Sequence, residues 1–154
     1  MYFVRDWLAI GKFAETSDLS VLRSEGITAM LQLAAPVSQP EIGSLYLAVE
    51  DGQELSAEMI ERGTDYVVAQ HNAGQKVLVA CGAGISRSTT FTMATLMRLE
   101  GLELFETYRQ ILAVHPQAFP HPELCISLGR VYGLELNWRD VSNKLHELQI
   151  ERKQ

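Results

Sequence analysis

The sequence predicts an α/β fold, a central and mostly parallel sheet flanked by helices. Three observations carry this reading. Short apolar runs at residues 7–10, 27–33, 45–49 and 77–80 alternate with segments of helical periodicity, a pattern that builds parallel strands joined by helical crossovers. Gly11, Gly26 and Gly74 fall between those segments, where chain reversals and helix ends favour glycine. The stretch from Val77 to Ser88 passes from an apolar strand through a glycine-rich loop into a helical segment. A chain of 154 residues suits one domain, residues 1–154, with a core of useful size.

Each element has its own local signal. Residues 7–10 form a short strand closed by Gly11. Ser17 or Asp18 caps a helix that carries Leu19, Val21 and Leu22, and Gly26 stops it. A second strand covers residues 27–33, a loop runs from Pro36 to Gly43, and a third strand covers residues 45–49. Ser56 caps a longer helix marked by Met59, Ile60, Val67 and Val68. After the strand at 77–80, helices are expected at residues 89–100 and 104–114, the latter with Phe105, Tyr108 and Leu112 on one face. His115-Pro116 ends it, because a residue before proline avoids the helical region. Residues 123–148 read as helical with a break near Asn137, and residues 151–154 as a solvated, frayed tail.

Composition narrows the function. Apolar residues make up 47% of the chain and charged residues 21%, as in ordinary globular proteins. No apolar run approaches the ~20 residues that span a bilayer, and residues 1–6 lack the basic and apolar regions of a signal peptide. A net charge of −6 argues against nucleic acid or an anionic membrane as the partner. Two cysteines, one of them among Leu124, Ile126 and Leu128 as a small core residue (Cys125), suit a reducing cytoplasm. His71, His115, His121 and His146 are scattered without metal-ligand spacing, so no metal and no cofactor are expected. Arg109 and Arg130 read as surface charges on helices.

The chemistry concentrates between Cys81 and Ser88. A loop between a strand and a helix N-terminus aims several backbone N–H groups at one point, and the helix dipole adds partial positive charge there. Gly82 and Gly84 let the backbone curl, with Ala83, Ile85 and Ser86 completing a cradle for a tetrahedral anion. Arg87 offers a planar fork for two of the anion's oxygens. Such a field favours thiolate over thiol, so Cys81 is poised to attack what the loop holds.

A cysteine, five residues, then Arg87 and Ser88 resembles the signature of the protein tyrosine phosphatase superfamily. The wider string Val-Leu-Val-x-Cys-x-Ala-Gly-Ile-Ser-Arg-Ser looks like its dual-specificity branch, and residues 7–11 and 25–33 resemble the opening of that branch. The likeness extends over residues 7–135. It implies a phosphatase-like sheet and a phosphoryl group carried on Cys81 and released to water. The substrate would be a phosphorylated protein or peptide bearing phosphotyrosine, with phosphoserine and phosphothreonine as further candidates.

The resemblance also assigns roles. An aspartate on a loop upstream of the nucleophile protonates the leaving group in such enzymes; Asp51 has that placement, thirty positions before Cys81 and ahead of Ser56. Asp51-Gly52 also suits a plain turn, and Glu50 is the fallback acid. Ser88 would hydrogen-bond the Cys81 sulfur, or satisfy a local helix amide. Ser86 is expected to be structural; His121 reads first as an ordinary surface or core histidine, with the rim of the site as the alternative. One departure stands out. Relatives usually carry histidine immediately before the cysteine, where it organises the loop; here that residue is Ala80. Slower catalysis is then expected, and an imidazole restored at position 80 would help only with room behind the strand. Two other readings stay open: a phosphoinositide or small-molecule phosphatase, against which the uncharged Gly82–Ile85 positions count, and a phosphate-binding module with little turnover.

Overall fold

The computed structural model describes all 154 residues. Five strands, β1 (Tyr2–Arg5), β2 (Leu8–Lys12), β3 (Ala29–Gln32), β4 (Gly43–Tyr46) and β5 (Val77–Cys81), form one sheet in the order β1-β2-β5-β3-β4. β2, β5, β3 and β4 run parallel, and only β1 is antiparallel. β5, which ends at Cys81, is thus central and buried along its whole length. A strand covered on both faces needs apolar residues at every position, as Val77, Leu78, Val79 and Ala80 supply.

Side chains alternate across the sheet, and so divide the interior. Ala9, Met30, Leu78 and Ala80 pack on one face with Leu22 and Ile27, beneath the short helices α1 (Phe13–Thr16) and α2 (Leu19–Ser24). Leu8, Ile10, Ala29, Leu31, Val77, Val79 and Cys81 enter the larger core on the other face. That core is closed by α3 (Ala57–Asn72), α4 (Arg87–Glu100), α5 (Leu104–Val114), α6 (Pro122–Val131) and α7 (Trp138–Lys153). α4 is its axis. Residues 88–97 of it are all buried, and Thr90, Thr92 and Thr95 satisfy their hydroxyls on the carbonyl four residues back.

Several expectations shift. β1 was not foreseen: Tyr2 and Phe3 pair with Ile10 and Ala9 in a hairpin, although β1 buries only Val4 fully and so lacks a strong apolar signature. The third strand closes at Tyr46 instead of Val49; beyond it Leu47 and Val49 still donate to the Gln32 and Leu33 carbonyls, but irregularly. Asp18, not Ser17, caps α2 by accepting from the Val21 amide, and Ser56 caps α3 through Met59. The last helical stretch divides into α6 and α7, with Asn137 capping the second. The tail is not frayed: α7 continues to Lys153, and Arg152 Nε donates to the Leu112 carbonyl at 3.1 Å.

The fold also decides what lies behind position 80. Ala80 is 2% exposed and packed among Ala9, Leu22, Ile27, Met30 and Leu78, so no room exists for a ring. Ala80→His is therefore expected to lose ~1–3 kcal/mol of stability, the usual cost of overpacking. Urea unfolding measures it, and an unchanged midpoint and slope would show that this small cluster yields.

Candidate active site

β5 ends at Cys81, and the chain turns through residues 82–86 into α4. What shapes the turn is visible in its carbonyls. Gly82 O accepts from Phe13 N at 3.2 Å, Gly84 O contacts His115 Nε2 at 2.7 Å, and Ile85 O accepts from Phe119 N at 3.0 Å. In a trans peptide the C=O and the following N–H point in opposite directions. Three carbonyls anchored outward therefore turn the amides of Ala83, Ile85 and Ser86 inward. These three residues line a cavity of about 230 Å³ together with Asp51, Cys81 and Arg87. Gly84 makes the curl possible: its φ is +71°, and a Cβ there would lie 2.8 Å from the Gly11 carbonyl oxygen.

α4 begins at the same cavity. Its N-cap residue, Ser86, makes no capping hydrogen bond, so the first-turn amides keep their donors and the dipole its positive end. Ser88 Oγ sits 3.2 Å from Cys81 Sγ, the pairing expected from the resemblance. Cys81 is 3% exposed and lines the cavity. Arg87 Nη1 donates to the Val49 carbonyl at 2.9 Å and more loosely to Leu33 O at 3.5 Å. Its Nη2 lies beside Gly82, where an added methyl would come within 3.1 Å. The guanidinium is thus braced from the loop after β4, with its free edge toward the cradle.

Asp51 comes to the mouth of the cavity from a turn in which Gly52 has φ +76°. Its Oδ1 accepts from Ser86 Oγ at 2.6 Å, and that same hydroxyl oxygen accepts from His121 N at 2.9 Å. Ser86 is therefore a bridge between the Asp51 turn, the loop 82–86 and the start of α6, more than the local loop residue expected from sequence. His121 does not line the cavity but sits beside the turn that carries Asp51. Its ring packs under Gly52, and its Nδ1 accepts from Glu123 N. Glu50 does not line the cavity.

The other expected residues are elsewhere. Cys125 is wholly buried in the core, where burial pushes its thiol up to about 12. His71 stacks on Trp7 and His146 tilts against Phe119. Arg109 and Arg130 form exposed ion pairs with Glu106 and Glu54, a class worth little to stability. His115 was missed as a site residue. It is 2% exposed, stacked on Tyr2 at 3.9 Å and 8°, and bonded to the loop. Nothing local in His-Pro announces a contact 31 residues upstream.

Burial holds the His115 imidazole below its usual range; the Gly84 carbonyl opposes this, and the Met1 ammonium adds to it. Lys12 and Glu15 line the adjoining cavity, and Tyr2 covers the ring. Because the unfolded chain takes up the proton first, this group's stabilisation is full above about pH 6.5 and is lost as pH falls through the lower folded-state value. The melting temperature is expected to fall between pH 7 and pH 5, and to fall less in His115→Gln. Parallel slopes for the two proteins would refute the linkage.

Comparison with known proteins agrees with this geometry. The catalytic-domain model of the dual specificity phosphatases matches residues 8–132. Mouse dual specificity protein phosphatase 2 is 35% identical over 107 residues, 66% of this chain and 33% of the relative. Mouse dual specificity protein phosphatase 12 is 28% identical over 155 residues, 95% of this chain and 46% of the relative. Among solved structures, DUSP15 superposes with a TM-score of 0.79 at 26% identity, covering 96% of this chain and 93% of that one. The human tyrosine phosphatase-like serine/threonine/tyrosine-interacting protein also gives 0.79, at 23% identity, with coverage of 86% and 95%; that likeness speaks to fold. The chain spans a third to a half of the length of these two curated relatives. With the family's catalytic-domain model matched over residues 8–132, most of its length, the chain belongs to the dual-specificity phosphatase catalytic-domain family.

Proposed function

We propose that this chain hydrolyses phosphomonoesters on proteins or peptides, phosphotyrosine foremost and phosphoserine or phosphothreonine besides, through a cysteinyl-phosphate intermediate. The observation that carries this reading is convergence. Cys81, Arg87 and Asp51, from a strand end, a helix start and a distant turn, meet around one cavity of about 230 Å³. Cradle amides and Arg87 would hold the phosphoryl oxygens and stabilise the charge of the transition state. Cys81 Sγ attacks phosphorus, the bond to the leaving oxygen breaks, and Asp51 delivers its proton to that oxygen. Water then attacks the thiophosphate while the Asp51 carboxylate takes its proton. The phosphorus–sulfur bond breaks, Ser88 donates to the departing sulfur, and orthophosphate leaves.

The cradle residues Gly82, Ala83, Gly84 and Ile85 are uncharged, which favours a single phosphate over a polyanionic headgroup. No helix is long and apolar enough to cross a membrane, and a nucleophilic thiol is best kept reduced in a cytoplasm. One domain suffices for the scheme. Steady-state hydrolysis of p-nitrophenyl phosphate and of a phosphotyrosine peptide is the test, with acid quenching and mass analysis of the Cys81 peptide. Turnover with a phosphoryl adduct on that peptide supports the proposal. Tight orthophosphate binding with neither turnover nor adduct would replace it by the phosphate-binding module.

A further inference from the structure

We propose that His115 positions the phosphate cradle, standing in from outside the loop for the histidine that Ala80 displaces behind it. The proposal rests on reading residues 81–87 as the anion-binding loop. Three anchors turn the loop's carbonyls outward. Two of them, Phe13 N and Phe119 N, are main-chain groups that almost any sequence would supply. The third, on Gly84 O, is the only one made by a side chain. That carbonyl belongs to the most unusual peptide of the loop, at φ +71° and pressed against the Gly11 backbone, so it has no strand partner to hold it. Releasing it would free the Gly84–Ile85 peptide to rotate and carry the Ile85 amide out of the cavity.

The ring is built for this single task. A carbonyl accepts, so Nε2 carries the proton and Nδ1 is left as a bare acceptor; Nδ1 is buried and has no partner. An unpaired buried polar atom is unfavourable. Here it accompanies a ring fixed in one orientation by the Tyr2 stack on its face and the Gly84 carbonyl at its edge. Tyr2 belongs to the hairpin strand β1, so the N-terminal hairpin, the α5–α6 connection and the cradle are joined through one imidazole. His115 touches neither the cavity lined by Cys81 nor the atoms that react; it acts through Gly84.

Three variants test this: His115→Phe keeps a stacking ring without a donor, His115→Gln restores an N–H donor, and Tyr2→Ala removes the stack. In His115→Phe, orthovanadate inhibition and iodoacetate alkylation of Cys81 at fixed pH are expected to weaken roughly tenfold, the loss of about one well-placed hydrogen bond. kcat/KM for p-nitrophenyl phosphate should fall alike. His115→Gln should recover at least half of each loss on a logarithmic scale, and Tyr2→Ala should lie between. A structural role alone would lower the melting temperature and leave these three readouts unchanged. That result, or a folded His115→Gln as impaired as His115→Phe, overturns the proposal. Should His115→Phe not fold, His115→Met takes its place with the same criteria. A wild-type chain without turnover would sink the hydrolytic reading only, since orthovanadate affinity and alkylation still decide what His115 does.

Discussion

Cys81→Ser is expected to abolish hydrolysis of an aryl phosphate while leaving the fold and anion binding largely in place. The two halves of this result have separate causes. The side chain is 3% exposed at the end of a strand hydrogen-bonded on both sides, and serine is slightly smaller, so packing changes little. The groups that would hold the anion are the amides of Ala83, Ile85 and Ser86, the first turn of α4, and Arg87; none involves the sulfur. What disappears is the nucleophile. A hydroxyl stays protonated where a thiol can ionise, and Asp51, the one carboxyl lining the cavity, has to carry its proton for the leaving group in this step and so does not serve as its base. Turnover should drop below detection, with orthovanadate or a phosphopeptide still bound within several-fold of wild type. Arg87→Ala is the contrasting variant. It removes a fork braced by Val49 O and Leu33 O, and both binding and turnover should suffer. If Cys81→Ser kept more than a trace of activity, with the preparation free of contaminating phosphatase, the covalent route would be wrong.

Much of this arrangement was legible before any coordinates, for physical reasons. Val77 to Ser88 states its structure locally: an apolar run that only a buried strand tolerates, two glycines for the curl, and the start of a helical segment. Asp51 was legible only through the family resemblance, which implies an acid on a loop upstream of the cysteine, and the turn at Gly52 brings it to the cavity. What escaped notice depends on contacts between distant segments. The strand Tyr2–Arg5 exists because β2 offers a free edge, which its own half-buried residues do not reveal. Ser86 reads as a structural residue of the loop, yet its hydroxyl serves Asp51 and His121 N from 35 residues away on either side. His115 reads as a helix terminator, and its ring is claimed by Tyr2 and Gly84. At Ala80 the resemblance implies a histidine that the sequence lacks, and only the packed cluster around it shows that a ring has no place there.

Asp51→Asn is expected to slow substrates with poor leaving groups by roughly 10²–10⁴-fold, the range in which general acids act, and to affect good leaving groups much less. An alkoxide or unactivated phenoxide leaves phosphorus slowly unless a proton arrives as the bond breaks; a nitrophenolate needs far less help. The geometry selects Asp51 for this task over Glu50. Asp51 lines the cavity with Cys81, whereas Glu50 does not, and Ser86 Oγ holds the Asp51 carboxylate at 2.6 Å across the mouth. That hydrogen bond leaves the second oxygen free to face a leaving group, and asparagine can keep it through the side-chain carbonyl. The substitution therefore deletes the proton while preserving the turn at Gly52, and stability should change by less than about 1 kcal/mol. In the wild type, the rate should decline on the alkaline side as the acid loses its proton, and in Asp51→Asn that decline should vanish. Plotting log kcat/KM against leaving-group pKa for a series of aryl phosphates reads both effects at once. The variant's line should be steeper, with the greatest separation from wild type at the phenol end. Parallel lines with a small offset would remove Asp51 from the acid's role and return it to Glu50 or to a residue outside this cavity.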